Sequence, residues 1–252
     1  MAQAVETYEG WYAFHDFRSI DWNQWRSLSA GEREEAVREL KEILKQYESV
    51  EENKQGSFAL FAISGTKADL LFVHFRPTLE ELTEVKNQFN KTRFAGVTTT
   101  PYSYISVVEL GAYTIPPHVD PETDPSVQRR LKPMMPKSGY VCFYPMNKKR
   151  DGEDNWYMLS MEDRREMMKS HGMIGRSYAG KVRQIITGSV GFDDWEWGVT
   201  LFGEDPLQFK KLVYEMRFDE ASARFGEFGP FYVGNYLTQE DLNALLLEGL
   251  NG

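Results

Sequence analysis

Apolar and polar residues follow two different periods along this chain, and the switches between them mark out the elements. Near the N-terminus "YEGWYAFHDF" (Tyr8 to Phe17) is rich in aromatic residues and reads as a strand. A stripe at Val37, Leu40, Leu44 and Tyr47 then follows helical spacing. It is opened by Ser29 with Glu32 three residues later, the pattern of a capping box. "SFALFAIS" and "LLFVHF" are short apolar runs joined by the polar turn "GTKAD", a hairpin signature. Thr78 and Glu81 open a second helix with Leu82, Val85 and Phe89 on its inner face, and "YSYISVVEL" follows as a strand.

The same order then recurs. "GYVCFYPMNK" is a strand, and Ser160 with Asp163 opens a helix, although aspartate is a weaker capping-box partner than glutamate. "VRQIITGSVG" and "WEWGVTLFG" form a hairpin around "FDD". Asp205 and Pro206 supply the N-cap and first-turn proline of a helix expected to end near Gly226. "GPFYVGNYL" is the last strand, and a short helix begins at about Gln239. The chain therefore reads β-α-β-β-α-β twice, an α+β fold of duplicated ferredoxin-like units whose sheet faces cover each other. The pattern divides it into residues 1–112, a connection at 113–138, and residues 139–252. The connection holds six of the eleven prolines and reads as extended and irregular.

Composition narrows the function classes. With 252 residues, 41% hydrophobic and 14% aromatic, the chain has enough apolar surface for a sizeable core. A net charge of −9 argues against a general nucleic-acid partner. No apolar stretch is long enough for a bilayer, and the start lacks a basic region followed by an apolar run, so a cytoplasmic protein is expected. The single cysteine, Cys142, has no internal partner for a disulfide.

Candidate chemistry centres on the second half. Met167, His171, Ile174 and Tyr178 fall on one helix face. From the residues alone two readings of His171 stand: a core histidine bonded to a backbone carbonyl, which is the commoner case, and a ligand-binding imidazole. On the preceding strand Tyr140, Cys142, Tyr144, Met146 and Lys148 share a face, subject to a break at Pro145. That face suits a ligand with an apolar centre and an anionic rim, or equally an edge strand with a snorkelling lysine. Gln184 and Arg183 are adjacent on "VRQIITG" and point to opposite faces, so the register decides which one looks inward. "HVDPETD" (His118 to Asp124) has hard-metal ligand types without a specific spacing. His15 and His74, in first-half strands, read as structural.

The duplicated unit, "YVCFYPMNKKRDGEDNWY", "MEDRREMMKSHGMIGRSYAGKV" and "RQIITGSVGFDDWEWGVTLF" resemble the chlorite dismutase-like family, most closely its branch of coproheme decarboxylases in Gram-positive bacteria. The resemblance implies a dimeric α+β barrel within one chain, a homopentamer, and haem in the second half. It implies His171 as the proximal iron ligand and Tyr144 as a radical-forming tyrosine. Lys148, Arg217 and Arg130 would hold propionates, with Ser222 and Tyr113 as further rim candidates. Met146 would line the same face, and Gln184 the distal side of the iron. The implied reaction is hydrogen peroxide-dependent decarboxylation of iron-coproporphyrin III (coproheme) to haem b, with a transient contact to coproporphyrin ferrochelatase and no nucleic-acid or membrane partner. Relatives that split chlorite carry an arginine at the distal position. Two other readings use the same scaffold: a non-catalytic haem carrier or sensor, and a chlorite dismutase or peroxidase-like enzyme.

Overall fold

The computed structural model describes residues 3–116, 118–137 and 139–249, apart from the side chain of Tyr113. Its elements are β1 (Thr7–Ile20), α1 (Trp22–Ser27), α2 (Ala30–Ser49), β2 (Ser57–Ile63), β3 (Leu70–Arg76), α3 (Leu79–Asn90), β4 (Thr98–Gly111), α4 (Pro125–Leu131), β5 (Tyr140–Lys148), the short β6 (Arg150–Asp151) and β7 (Asp154–Asn155), α5 (Met161–Ser177), β8 (Arg183–Gly188), β9 (Trp197–Gly203), α6 (Leu207–Met216), α7 (Glu220–Phe225), β10 (Gly226–Phe228), β11 (Tyr232–Tyr236) and α8 (Asp241–Leu246). The class is α+β with antiparallel strands, and the order β-α-β-β-α-β occurs twice. Among the described residues no helix is long and apolar enough to cross a membrane.

Two compact units are present. One comprises Trp11–Ile105, Met134–Lys137 and the chain from Gly234 onward; the other comprises the chain up to Gly10, Ser106–Pro133 and residues 139–233. Cuts at 112 and 138 do not separate these units, because β1 and β4, at 14 residues each, contribute to both. The connection also differs from the expected irregular linker. Asp124 accepts the N–H groups of Ser126 and Val127 and starts α4 at Pro125, an N-cap and first-turn proline that the proline-rich composition masked. Asp120 accepts from Glu122 N–H and the Thr123 hydroxyl in the turn before it. No group of three or more His, Cys, Asp or Glu side chains among the described residues forms a metal cluster, in "HVDPETD" or elsewhere.

In the first unit β3 pairs antiparallel with β1 (Tyr12 opposite Arg76) and with β2 (Ser57 opposite Phe75), and Gly234–Tyr236 of β11 extends β2. Both expected capping boxes, Ser29–Glu32 and Thr78–Glu81, are formed. They start α2 and α3, whose apolar faces pack with Trp25, Phe58 and Phe72 into the main core. His15 is 0% and His74 2% exposed, and Tyr47, Phe58 and Phe14 rings surround His74. Burial pushes the His15 imidazole from an ordinary 6.5 down to about 3. Burial, then the nearby charges of Arg76 and His15, hold His74 well below its ordinary value. The unfolded chain therefore gains protons at these sites on acidification before the folded chain does. Stability is expected to fall by about 1.4 kcal/mol per pH unit for each group below the ordinary histidine range. Urea unfolding midpoints check this; no drop between about pH 6 and pH 4 contradicts it.

In the second unit β9 lies between β5 (Tyr144 opposite Val199) and β8 (Gln184 opposite Leu201). The pairing of β5 with β9 continues unbroken through Pro145 to Met146 opposite Trp197, so the alternation survives the proline. One face then carries Cys142, Leu201 and Gln184 in a row, with Tyr144, Val199 and Ile186 in the next. The apolar members of these rows pack with Phe209, Leu212 and Met216 of α6, and Ile174 and Tyr178 from the α5 side lie against them.

Candidate functional site

Helix α5 positions the histidine. Ser160 accepts the N–H of Asp163 and starts the helix. The reciprocal half of the capping box is replaced by a hydroxyl bond, with Ser160 Oγ donating to Asp163 Oδ2 at 2.6 Å, because the aspartate is one methylene shorter than glutamate. Eleven residues after that cap, His171 lies one turn before Gly175, its side chain 25% exposed.

What faces the imidazole depends on an interruption that the apolar pattern concealed. The single helix expected from Asp205 to Gly226 is two: α6 ends at Met216, the chain turns through Arg217–Asp219, and α7 restarts at Glu220. The start also differs: Pro206 rather than Asp205 is the N-cap of α6, with no side-chain cap, and Asp205 accepts from Leu207 N–H at 3.0 Å from one residue further out. The restart is capped by Asp219, which accepts from Ala221 N–H at 3.4 Å and from Ser222 N–H at 3.2 Å. The same buried carboxylate lies 2.7 Å from His171 Nδ1. Three donors converging on one buried carboxylate offset the cost of its desolvation. Ser222, a candidate for an anionic rim, instead sits with Oγ 3.5 Å from His171 Nδ1.

A carboxylate on Nδ1 holds the proton there and leaves the Nε2 lone pair as the acceptor. Among the described residues Nε2 has no hydrogen-bond partner. An imidazole backed by a carboxylate at Nδ1 is a donor that fits a haem iron. On the sheet face that carries Tyr144 and Val199, Ile186 is 44% exposed.

Tyr144 is 5% exposed, its ring stacked on Phe231 (centroids 4.5 Å, 25° between planes) and tilted against Phe228 at 6.0 Å. Burial pushes the phenol above its ordinary range, so it stays protonated. Arg217 places its guanidinium 4.0 Å over the Phe228 ring, and among the described residues no carboxylate pairs with it. Met146 is half-buried beside these rings. Gln184 shares the Tyr144 face, and Arg183 points to the opposite one, exposed. Gly175 makes room for the glutamine: a Cβ there would lie 3.3 Å from Gln184 Nε2 and 3.4 Å from Met216 Cε. Lys148 is buried, with Nζ donating to Ala221 C=O at 2.8 Å; burial lowers it to about 8, against the opposing pull of Asp219 and Glu196.

The structure thus brings Tyr144, Met146, Gln184 and Arg217 around one apolar core, and His171, Asp219 and Ser222 into one contact cluster on α5 and α7. Arg130 lies exposed on α4 with no hydrogen bond or ion pair to any of these groups among the described residues. The side chain of Tyr113 falls outside the described residues. Sequence reasoning missed Asp219, Phe228 and Phe231. The signal for Asp219 was available, since Asp before "EAS" is an N-cap pattern inside a supposed helix.

Comparison with known proteins bears on the same region. The sequence profile of the family described as chlorite dismutase matches residues 33–237. A protein from Thermus thermophilus described as a novel heme-binding protein is 52% identical, with 98% of each chain covered and a TM-score of 0.94. A mutant chlorite dismutase from Candidatus Nitrospira defluvii is 20% identical over 94% of this chain and 95% of its own, with a TM-score of 0.76. Another mutant of that enzyme, in complex with cyanide, is 20% identical over 93% of each chain with a TM-score of 0.74. At that identity the last two share the fold. The profile spans both units and every described site residue, and on that ground the chain belongs to the chlorite dismutase family.

Proposed function

We propose that this protein takes iron-coproporphyrin III as substrate and uses hydrogen peroxide to convert it to haem b. The observation that carries the reading is the composition of one sheet face: Tyr144 and neutral Gln184 look toward α5 and α6, and Arg183 looks away. A chlorite-splitting site wants a cation near the iron to hold an anionic oxidant, and Gln184 offers none. Tyr144 has no task in a site that only carries haem. The 52% identical relative described as heme-binding supports a porphyrin ligand.

His171 would hold the iron through Nε2, with Asp219 fixing its tautomer and orientation. Arg217 would neutralise a propionate at the rim, where an unpaired buried carboxylate is costly. The porphyrin iron, once oxidised by peroxide, supplies the oxidising power for the reaction. Tyr144 gives up one electron and its phenolic proton, and the resulting radical takes a hydrogen atom from a propionate β-carbon. Loss of carbon dioxide with a second electron leaves a vinyl group. For each propionate, two electrons and two protons reduce one peroxide to two waters. Phe231 and Phe228 hold the phenol ring, and burial prevents its ionisation before oxidation.

Adding iron-coproporphyrin III and then peroxide, and following the porphyrin by mass spectrometry, is expected to show loss of two carboxyl groups as carbon dioxide. An unchanged porphyrin mass refutes the enzyme reading and leaves a carrier. Oxygen release from chlorite at high turnover would point to the other chemistry of the fold.

A further inference from the structure

The sheet face that carries Tyr144 holds a second oxidisable ring. Tyr144 lies opposite Val199 and Met146 opposite Trp197, so Trp197 is the diagonal neighbour of Tyr144 across the β5–β9 pair. Such neighbours stand roughly 7–8 Å apart. The Trp197 indole N–H donates to Glu109 Oε1 at 3.0 Å. Glu109 comes from β4, which pairs with β8 through Val107 opposite Gly188, and Gly188 in turn lies opposite Trp197. The carboxylate fills the space of the missing Gly188 side chain: a Cβ there would fall 2.2 Å from Oε2 and 2.9 Å from Oε1. Three strands thus supply a carboxylate, a gap for it and an indole, with Glu109 and Trp197 both half-buried. Burial raises the Glu109 carboxyl above its ordinary range, and the charge of Glu9 adds to this, against the lowering by the indole bond. A carboxylate so placed takes up a proton readily. Trp156, in the same unit, is set the opposite way: the Lys148 ammonium lies 4.6 Å over its ring, and a cation there opposes loss of an electron.

We propose that Trp197 is a second electron donor on the porphyrin face, with Glu109 as the base that takes its indole proton. The indole gives one electron to the peroxide-oxidised porphyrin iron. Its N–H bond breaks, and the proton forms an O–H bond on Glu109 Oε1, leaving a neutral indolyl radical and a carboxylic acid. The indole N–H is the only proton this side chain can release, and without a base the oxidised ring keeps a positive charge that a half-buried site disfavours. Trp197 thereby competes with Tyr144 for the same oxidising equivalent. A bond that served only to tie β9 to β4 would need an acceptor and no base, and an amide would do as well. The inference rests on the reading that a porphyrin lies against the Tyr144 face and reacts with peroxide; it does not need decarboxylation.

The test uses the full-length Tyr144→Phe chain loaded with iron-coproporphyrin III, mixed with hydrogen peroxide and freeze-quenched for electron paramagnetic resonance, with ring-deuterated tryptophan to identify the signal. A neutral tryptophanyl radical is expected, and adding Trp197→Phe is expected to remove it. Should Trp197→Phe fail to fold by circular dichroism, Trp197→Tyr takes its place. Glu109→Gln keeps an acceptor for the indole but cannot take its proton. It is expected to leave the tryptophan fluorescence and melting temperature of the porphyrin-free protein unchanged, and to lower the radical yield by about tenfold or more. No tryptophanyl signal, or one that survives the loss of Trp197, overturns the proposal. An undiminished neutral radical in Glu109→Gln removes the base and makes the Glu109 contact a structural tie. Because the readout is a radical and not a product, an intact signal without decarboxylation would sink the proposed function and leave this inference standing.

Discussion

Tyr144→Phe is expected to bind iron-coproporphyrin III as tightly as the parent and to lose decarboxylation by about a thousandfold or more, roughly 4 kcal/mol of barrier. The separation follows from the geometry. Phenylalanine keeps the stack on Phe231 and the tilted contact with Phe228, so the ring stays in place and folding stability changes by less than about 1 kcal/mol. Only the O–H is removed, and with it the transferable electron–proton pair. The raised phenol pKa adds a pH signature. A group held protonated above its ordinary range does not ionise in the native state on approach to pH ~10, so turnover in the parent shows no loss from phenolate formation up to that point. Porphyrin titration, peroxide turnover and a thermal melt check the three parts. A Phe variant that turns over at the parent rate removes the radical role from Tyr144.

Asp219→Asn is expected to weaken iron-porphyrin binding by about 10- to 100-fold with little effect on folding, and Asp219→Ala to do both harms. Asparagine is as good an N-cap as aspartate, so α7 keeps its start. The amide, however, is a neutral acceptor at the 2.7 Å contact and no longer places a negative charge behind the imidazole. Alanine removes the acceptor for Ala221 and Ser222 N–H as well, adding about 1 kcal/mol of destabilisation. The difference between the two variants isolates the cap from the imidazole contact. Equal affinity and an identical visible spectrum in the Asn variant and the parent would show that Asp219 does not act on the iron ligand.

How much of this could be read from sequence depends on the range of the interaction. The boxes Ser29–Glu32 and Thr78–Glu81 are local, their partners three residues apart, and the pattern showed both. The alternation along β8 showed that Gln184 and Arg183 face opposite ways; which one faces Tyr144 needed the pairing with β9. The break between α6 and α7 was hidden because Leu212, Met216, Ala221 and Phe225 continue an apolar series across it. The partner of Asp219 lies 48 residues away, beyond any periodicity. Proline content outweighs the cap at Asp124 in the sequence pattern, which therefore shows irregular chain where α4 forms.

The order in which the chain leaves the ribosome meets one feature of the first unit. Its core includes Leu237, Leu242 and Leu246, and the Trp25 indole N–H donates to the carbonyl of Leu246, 221 positions later. Residues 11–105 are thus made early but lack the last pieces of their own interior until the chain has been made through Leu246. A nascent chain stalled before Gly234 would hold Trp25, Phe58 and Phe72 without their closing residues, and during synthesis that exposed apolar surface becomes a natural hold for chaperones.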